Sequence, residues 1–169
     1  MTRHRFRSIF ISDVHLGLRD CQAAYLLNFL RTTSSERLYL VGDILDIENA
    51  QRSPFWHPAH GDVLAEIFAI AARGTRVTYI PGNQDAILRR FAGQRFAGVD
   101  IALNAVHVGA DGRADHAGVL YINDGDWVEH CTALIEHADG ALELPHWTGQ
   151  QQRLALTGAL AAQPLPAAA

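Results

Sequence analysis

The stretch Ser8-Ile-Phe-Ile-Ser-Asp13-Val-His15-Leu-Gly17 opens with a short, apolar, β-rich run and ends abruptly in a polar loop. The same pattern returns twice. Leu38-Tyr-Leu-Val41 stops at Gly42-Asp43, and Val77-Thr-Tyr-Ile80 stops at Pro81-Gly82-Asn83. Between these runs the apolar residues change to helical spacing. Residues 20–31 place Ala24, Leu27 and Leu30, or Leu26 and Phe29, on neighbouring turns. Residues 62–72 carry Val63, Ile67, Ile70 and Ala71 as a stripe and stop at Gly74, with Asp62 read as the helix cap. A short helix is expected over Asp85 to Phe91. The order β-α-β-α-β implies an α/β fold with a parallel sheet and helical crossovers. Ligands of such sheets bind beyond the C-terminal ends of the strands. The alternation alone therefore places Asp13, His15, Asp43 and Asn83 on one rim.

The second half reads differently. Val106 to Val108, Val119 to Ile122, Thr132 to Glu136 and Ala141 to Leu144 are strand-like, and Ala138-Asp139-Gly140 signals a hairpin turn. This end is expected to be an antiparallel meander. Residues 1–148 are read as one domain and 149–169 as a low-complexity tail, a helix fragment followed by disorder. The 169 residues, 49% hydrophobic, suffice for one domain with a real core. A net charge of −4 argues against a general nucleic-acid binder. Cys21 and Cys131 form no C-x-x-C and read as buried free thiols. Ile9 to Ile11 is too short for a signal-peptide core or a membrane span, so a cytoplasmic protein is expected, with peripheral membrane contact left open.

The polar residues define a chemistry. Asp13 and His15 are two apart on one loop and can face a common ligand. Asp43 and Asn83 each follow a glycine at a strand end, where a tight turn is needed. Carboxylate, imidazole and amide oxygen suit Mn, Fe, Zn or Mg. A bridging carboxylate can hold two cations about 3.5–4 Å apart, which together activate water and clamp a phosphoryl group in line. A single Asp after a strand is commonly only a cap, and Asp46 and Asp85 read as structural. Three such motifs at three successive strand ends read as a site.

Ile11-Ser-Asp-Val-His-Leu-Gly17, Val41-Gly-Asp-Ile-Leu-Asp46 and Pro81-Gly-Asn-Gln-Asp85 resemble the first three motifs of the calcineurin-like metallophosphoesterases. Phe91 to Gly98, Tyr121 to Val128 and Cys131 to Leu134 resemble the bacterial branch that contains UDP-2,3-diacylglucosamine pyrophosphatase. The resemblance runs from about residue 8 to about residue 147. It implies a layered sheet sandwich flanked by helices. It also implies two divalent ions, manganese foremost, and a nucleotide-linked lipid or other phosphoester substrate. Asp13 and His15 would hold the first metal, Asp43 would bridge, Asn83 would hold the second, and Asp46 would brace the loop. Asp43 and Asn83 are thus the expected catalytic residues.

The chain departs from that pattern in three places. It has no Gly-His-x-His. Asp111-Gly112-Arg113 passes almost directly to Val119, which reads as an internal deletion near 113–118 and an incomplete fold. Gln84 stands where many members of the superfamily have a histidine that protonates the leaving group. His60-Gly61-Asp62 spells an expected tripeptide but precedes the third motif, and His107 reads as a structural histidine. The first metal would keep three protein ligands and the second only Asp43 and Asn83, so one weakly held ion is expected. Three readings follow: a pyrophosphate hydrolase acting on a lipid precursor, a non-catalytic remnant or binding module, and a hydrolase of the same fold for phosphoproteins or phosphodiesters.

Overall fold

The computed structural model describes residues 3–109, 125–147 and 151–155. In chain order the elements are β1 (His4–Ser12), α1 (Ala23–Thr32), β2 (Thr33–Val41), α2 (Ile47–Arg52), α3 (Pro58–Ala72) and β3 (Arg76–Ile80). A 3-10 helix (Ala86–Phe91) follows, then β4 (Arg95–Phe96), β5 (Val99–Ile101), β6 (Leu134–Glu136), β7 (Leu142–Trp147) and β8 (Gln151–Ala155). The strands form one mixed sheet in the order β4-β5-β3-β2-β1-β6-β7-β8. β1, β2, β3 and β5 run parallel, and β4, β6, β7 and β8 pair antiparallel with their neighbours. The α/β class and the antiparallel C-terminal end agree with the sequence. The described residues contribute a single sheet to the expected sandwich.

Period-two alternation sets the layers. Register pairs Leu38 with Val77, Leu40 with Tyr79, Val77 with Val99 and Tyr79 with Ile101. Leu38, Leu40, Val77, Tyr79 and Val99 are buried in one core with Ile9, Ile11, Leu26, Leu30, Val63 and Ile67. Helices α1 and α3 pack side by side over that face. Ile11, Val14 and Val63 are fully buried. At roughly 1.5–3 kcal/mol for each large apolar side chain buried, this layer is the main stabilising term. On the opposite face Phe10 stacks on Tyr39 with ring centroids 4.7 Å apart.

Several sequence expectations need correction. Helix α3 begins at Pro58, four residues earlier than expected. Its cap is His57, whose Nδ1 accepts from Ala59 N at 3.2 Å. Proline at the first helical position favours that start, since its missing N–H would be unpaired there anyway. Asp62 is an exposed residue inside the helix, and His60 lies within it as well. Val106 to Val108 is irregular backbone and not a strand. His107 lies edge-on to Phe10 and Tyr39, so this segment crosses the sheet face, where no ladder partner is available. Gln151–Ala155 is a strand paired with β7, where a helix fragment was expected. Val119 to Ile122, the proposed deletion at 113–118 and residues 156–169 lie outside the described residues.

Helix α2 and the β4–β5 hairpin were not anticipated. α2 is only six residues long, capped by Asp46 Oδ1 accepting from Asn49 N at 3.0 Å. The hairpin turns at Ala97 and Gly98, both with positive φ. That geometry matches the right-handed twist of the strands, and an alanine there conceals the turn from a composition-based reading.

Candidate metal centre

The parallel strands β1, β2 and β3 each end in a loop, and the backbone joins these loops edge to edge. Asp13 N donates to Gly42 O (3.2 Å), His15 N to Asp43 O (2.9 Å) and Leu16 N to Ile44 O (2.9 Å). Gly42 N donates to Ile80 O (2.7 Å) and Glu48 N to Gln84 O (3.1 Å). On the far side, Trp127 N donates to Asp13 O (3.0 Å), and the Trp127 side chain is fully buried. The loops therefore behave as one rim.

The rim brings Asp13, His15 and Asp43 together, with one ligand atom from each lying within 4.8 Å of the other two. All three have left-handed backbones, with φ of 48°, 54° and 49°. Non-glycine residues seldom adopt this region, and such outliers gather at functional sites. Asp43 is buried at 9% exposure, whereas the Asp13 side chain is half exposed. The cluster is thus anchored inside and open outside.

The donor set fits a divalent cation. Metal–ligand bonds of about 2.0–2.2 Å span donors up to roughly 4.4 Å apart, so a contraction of a few tenths of an ångström would close the set. His15 supports this fit. Its Nδ1 is buried without a hydrogen-bond partner and lies 3.5 Å from Asp46 Oδ2, while Nε2 lies 3.9 Å from Asp13 Oδ1. A carboxylate on one ring nitrogen leaves the other for a metal. Asp46 therefore caps α2 with one oxygen and faces His15 with the other.

The third loop is pressed against Asp43. Gln84 N donates to Asp43 Oδ1 at 2.8 Å. A Cβ on Gly82 would overlap both Asp43 Oδ1 and its backbone nitrogen, so only glycine fits there. Asn83 sits between Gly82 and Gln84, exposed at the mouth of the rim. Asp85, one residue beyond Gln84, is fully buried and accepts from Ile44 N (3.0 Å), Leu45 N (3.3 Å), Gly82 N (2.6 Å) and the Tyr79 hydroxyl. Burial first, and the Asp85 carboxylate second, hold the Tyr79 phenol far above its usual range, so it remains a donor.

Several described histidines outside the cluster have contacts elsewhere. His60 is buried and accepts from Gly17 N at 3.2 Å, tying the first loop to α3. Burial, then neighbouring His57, holds its pKa below the ordinary value. His107 lies 3.3 Å from Tyr39 Oη and 2.9 Å from Glu136 Oε2. His130 pairs with Asp126 and His137 with Glu143. His116 lies outside the described residues. The structural reading of Asp85 agrees with its brace, whereas the backing by Trp127 and the His60 tie were missed by sequence reasoning. The signal for Asp85 was Pro81-Gly-Asn-Gln-Asp85, whose last residue read simply as structural.

Two cavities among the described residues lie away from the cluster. One of about 480 Å³ opens at the opposite end of the sheet, near Arg3, Ser34 and Arg73. The other, about 310 Å³, lies between α3 and the sheet and is lined by apolar side chains such as Leu40, Phe68 and Phe91. No helix among the described residues is long and apolar enough to cross a membrane.

No family model matches the chain. Curated relatives do. The UDP-2,3-diacylglucosamine hydrolase of Hamiltonella defensa is 34% identical over 93 residues, 53% of this chain and 34% of that protein. Those of Pectobacterium carotovorum (33% over 91 residues, 52% and 37%) and Xanthomonas campestris (34% over 92 residues, 52% and 36%) are alike. The chain is thus similar over about half its length to proteins named UDP-2,3-diacylglucosamine hydrolase, and spans about a third of theirs.

Proposed function

We propose that the chain is a metal-dependent phosphoesterase that hydrolyses a pyrophosphate-linked nucleotide lipid of the UDP-2,3-diacylglucosamine type. The observation that carries this reading is the convergence of Asp13, His15 and Asp43 at the ends of adjacent parallel strands, each in a left-handed backbone. The similarity to the named hydrolases supports the reaction class and the substrate class. Asp13 and His15 would hold one ion, Asp43 would bridge to a second, and Asn83 would serve that second position. Manganese is the proposed metal. A bound divalent cation supplies Lewis-acid activation of water and charge on a phosphoryl oxygen.

The protein's own groups then constrain the substrate. Gln84 cannot donate a proton as a general acid. A leaving group that departs without protonation, such as a nucleoside monophosphate, therefore suits this rim. Asp46 orients His15, and the loop hydrogen bonds hold Asp43 in register with Asn83.

The direct test is to supply Mn²⁺, measure bound metal and follow release of UMP from UDP-2,3-diacylglucosamine alongside an activated phosphodiester. Asp43→Ala is the control. Metal-dependent release in the parent and none in the variant is the expected result. Equal rates in both would sink the enzyme reading. A second reading, a metal-binding remnant without turnover, draws on one observation. Five described histidines outside the cluster, His57, His60, His107, His130 and His137, have contacts elsewhere. Metal binding without hydrolysis of either substrate would select that reading.

A further inference from the structure

Asp85 and Asp43 make a reciprocal exchange between two loops. Asp43, at the end of β2, accepts from Gln84 N of the loop after β3. Asp85, in the loop after β3, accepts from Ile44 N and Leu45 N of the loop after β2. Each carboxylate thus holds the backbone of the other's loop. Asp85 also accepts from Gly82 N and from the Tyr79 hydroxyl on β3 itself. Both of its oxygens are engaged and it is fully buried. A buried carboxylate without such partners would be strongly unfavourable, so its four donors explain how it is accommodated. Asp85 also stands outside the group formed by Asp13, His15 and Asp43, so its role is to hold backbone and not to ligate.

We infer that Asp85 is a positioning residue for the metal centre, fixing Asp43 and Asn83 at the spacing a cation needs; the inference rests on the metal-binding reading above. The argument is one of constraint. Asn83 lies between Gly82, whose N–H is tied to Asp85, and Gln84, whose N–H is tied to Asp43. Asp43 is followed directly by Ile44, also tied to Asp85. Releasing Asp85 frees the Gly82 flank of Asn83 and the backbone after Asp43 at once, leaving the Gln84 tie to Asp43 as the remaining restraint on that loop. Donors that are not held in place bind metal more weakly, typically by about 10–100-fold when an outer partner is lost.

The test uses Mn²⁺ alone, titrated into the full chain and followed by the paramagnetic resonance of free Mn²⁺, with thermal melts in parallel. Asp85→Asn keeps the side chain's size but sets an amide against hydrogen-bond donors. It is expected to bind Mn²⁺ about 10–100-fold more weakly at a temperature where it remains folded. Ile67→Val, a core truncation on α3, lowers the melting midpoint and is expected to keep parental affinity, which separates positioning from loss of stability. Parental affinity in folded Asp85→Asn overturns the inference while leaving the metal reading intact. Absence of Mn²⁺ binding in the parent overturns both. Should Asp85→Asn fail to fold, Tyr79→Phe decides. It removes one donor and keeps the ring, so a several-fold weaker affinity supports the inference and an unchanged affinity overturns it.

Discussion

The two sides of β1 use the same backbone pairing to opposite ends. On one side β2 and β3 run parallel to it, and all three strands send their C-terminal loops to the same rim. On the other, β6 and β7 run antiparallel, and their connection turns at Ala138–Gly140. The first side concentrates Asp13, His15 and Asp43 with their ligand atoms close together. The second uses its charges internally. Glu136 is bound by Ser8, Arg7 and His107, His137 by Glu143, and His130 by Asp126. Parallel strands thus gather two carboxylates around one histidine, and the antiparallel flank pairs its charges as it places them.

The largest expected effect follows from Asp43→Asn. Asparagine tolerates the left-handed backbone and retains the acceptor for Gln84 N, so the fold should hold. Mn²⁺ affinity should fall by at least about a hundredfold, since one of the two carboxylates of the cluster is gone. The metal-free melting midpoint should stay level or rise, and added Mn²⁺ should no longer raise it. A variant that still gains stability from Mn²⁺ would break the contrast between the two sides.

Glu136→Gln probes the other side. Removing one partner of a buried ion pair costs about 3–5 kcal/mol, reduced here to roughly 2–3 because the glutamine still accepts hydrogen bonds. The urea midpoint should drop accordingly, with Mn²⁺ affinity of the folded protein unchanged. A parallel loss of affinity would show that the antiparallel flank also shapes the rim.

A smaller effect is expected with pH. Burial holds both His60 and His107 below the ordinary value, although Glu136 partly offsets this for His107. The unfolded chain then binds more protons than the native one as pH falls below about 6.5. The corresponding stability is fully present above that pH and is lost between it and the lowered native values. His60→Asn, whose Oδ1 can accept from Gly17 N, should flatten the acid side of a stability-against-pH profile. His107 should account for a remaining slope. An unchanged profile would remove His60 from the rim's acid sensitivity.

The smallest effect concerns the cysteines. Both are free. Burial pushes the Cys21 thiol up to about 12, with a further rise from Cys131, against a lowering by the hydrogen bond from Ala23. At pH 8 Cys21 should react with iodoacetamide far more slowly than a free cysteine with a pKa of about 8.5. Brisk labelling would mean that the contact between the first loop and the Trp127 segment opens readily.

The sequence disclosed the parallel half because there local pattern and tertiary role coincide. Buried parallel strands read as apolar runs, and glycines mark where they stop. The rim residues Asp13, His15 and Asp43 were legible for the same reason. Less legible were features that depend on contacts distant in sequence. His60 is read correctly only with Gly17 in view, and Asp85 only with Ile44 and Tyr79. The hairpin at Ala97-Gly98 was hidden because alanine rarely adopts a positive φ. Val106 to Val108 has a strand's composition yet lies across the sheet, where the ring of His107 is its anchor.

The left-handed backbones at Asp13, His15 and Asp43 also set a trade-off for anyone evolving this protein in the laboratory. Glycine would relax each position at no steric cost and would remove its donor. Selection for heat resistance in the presence of a chelator should therefore drift these three codons toward glycine. Selection in Mn²⁺ should hold them at aspartate and histidine.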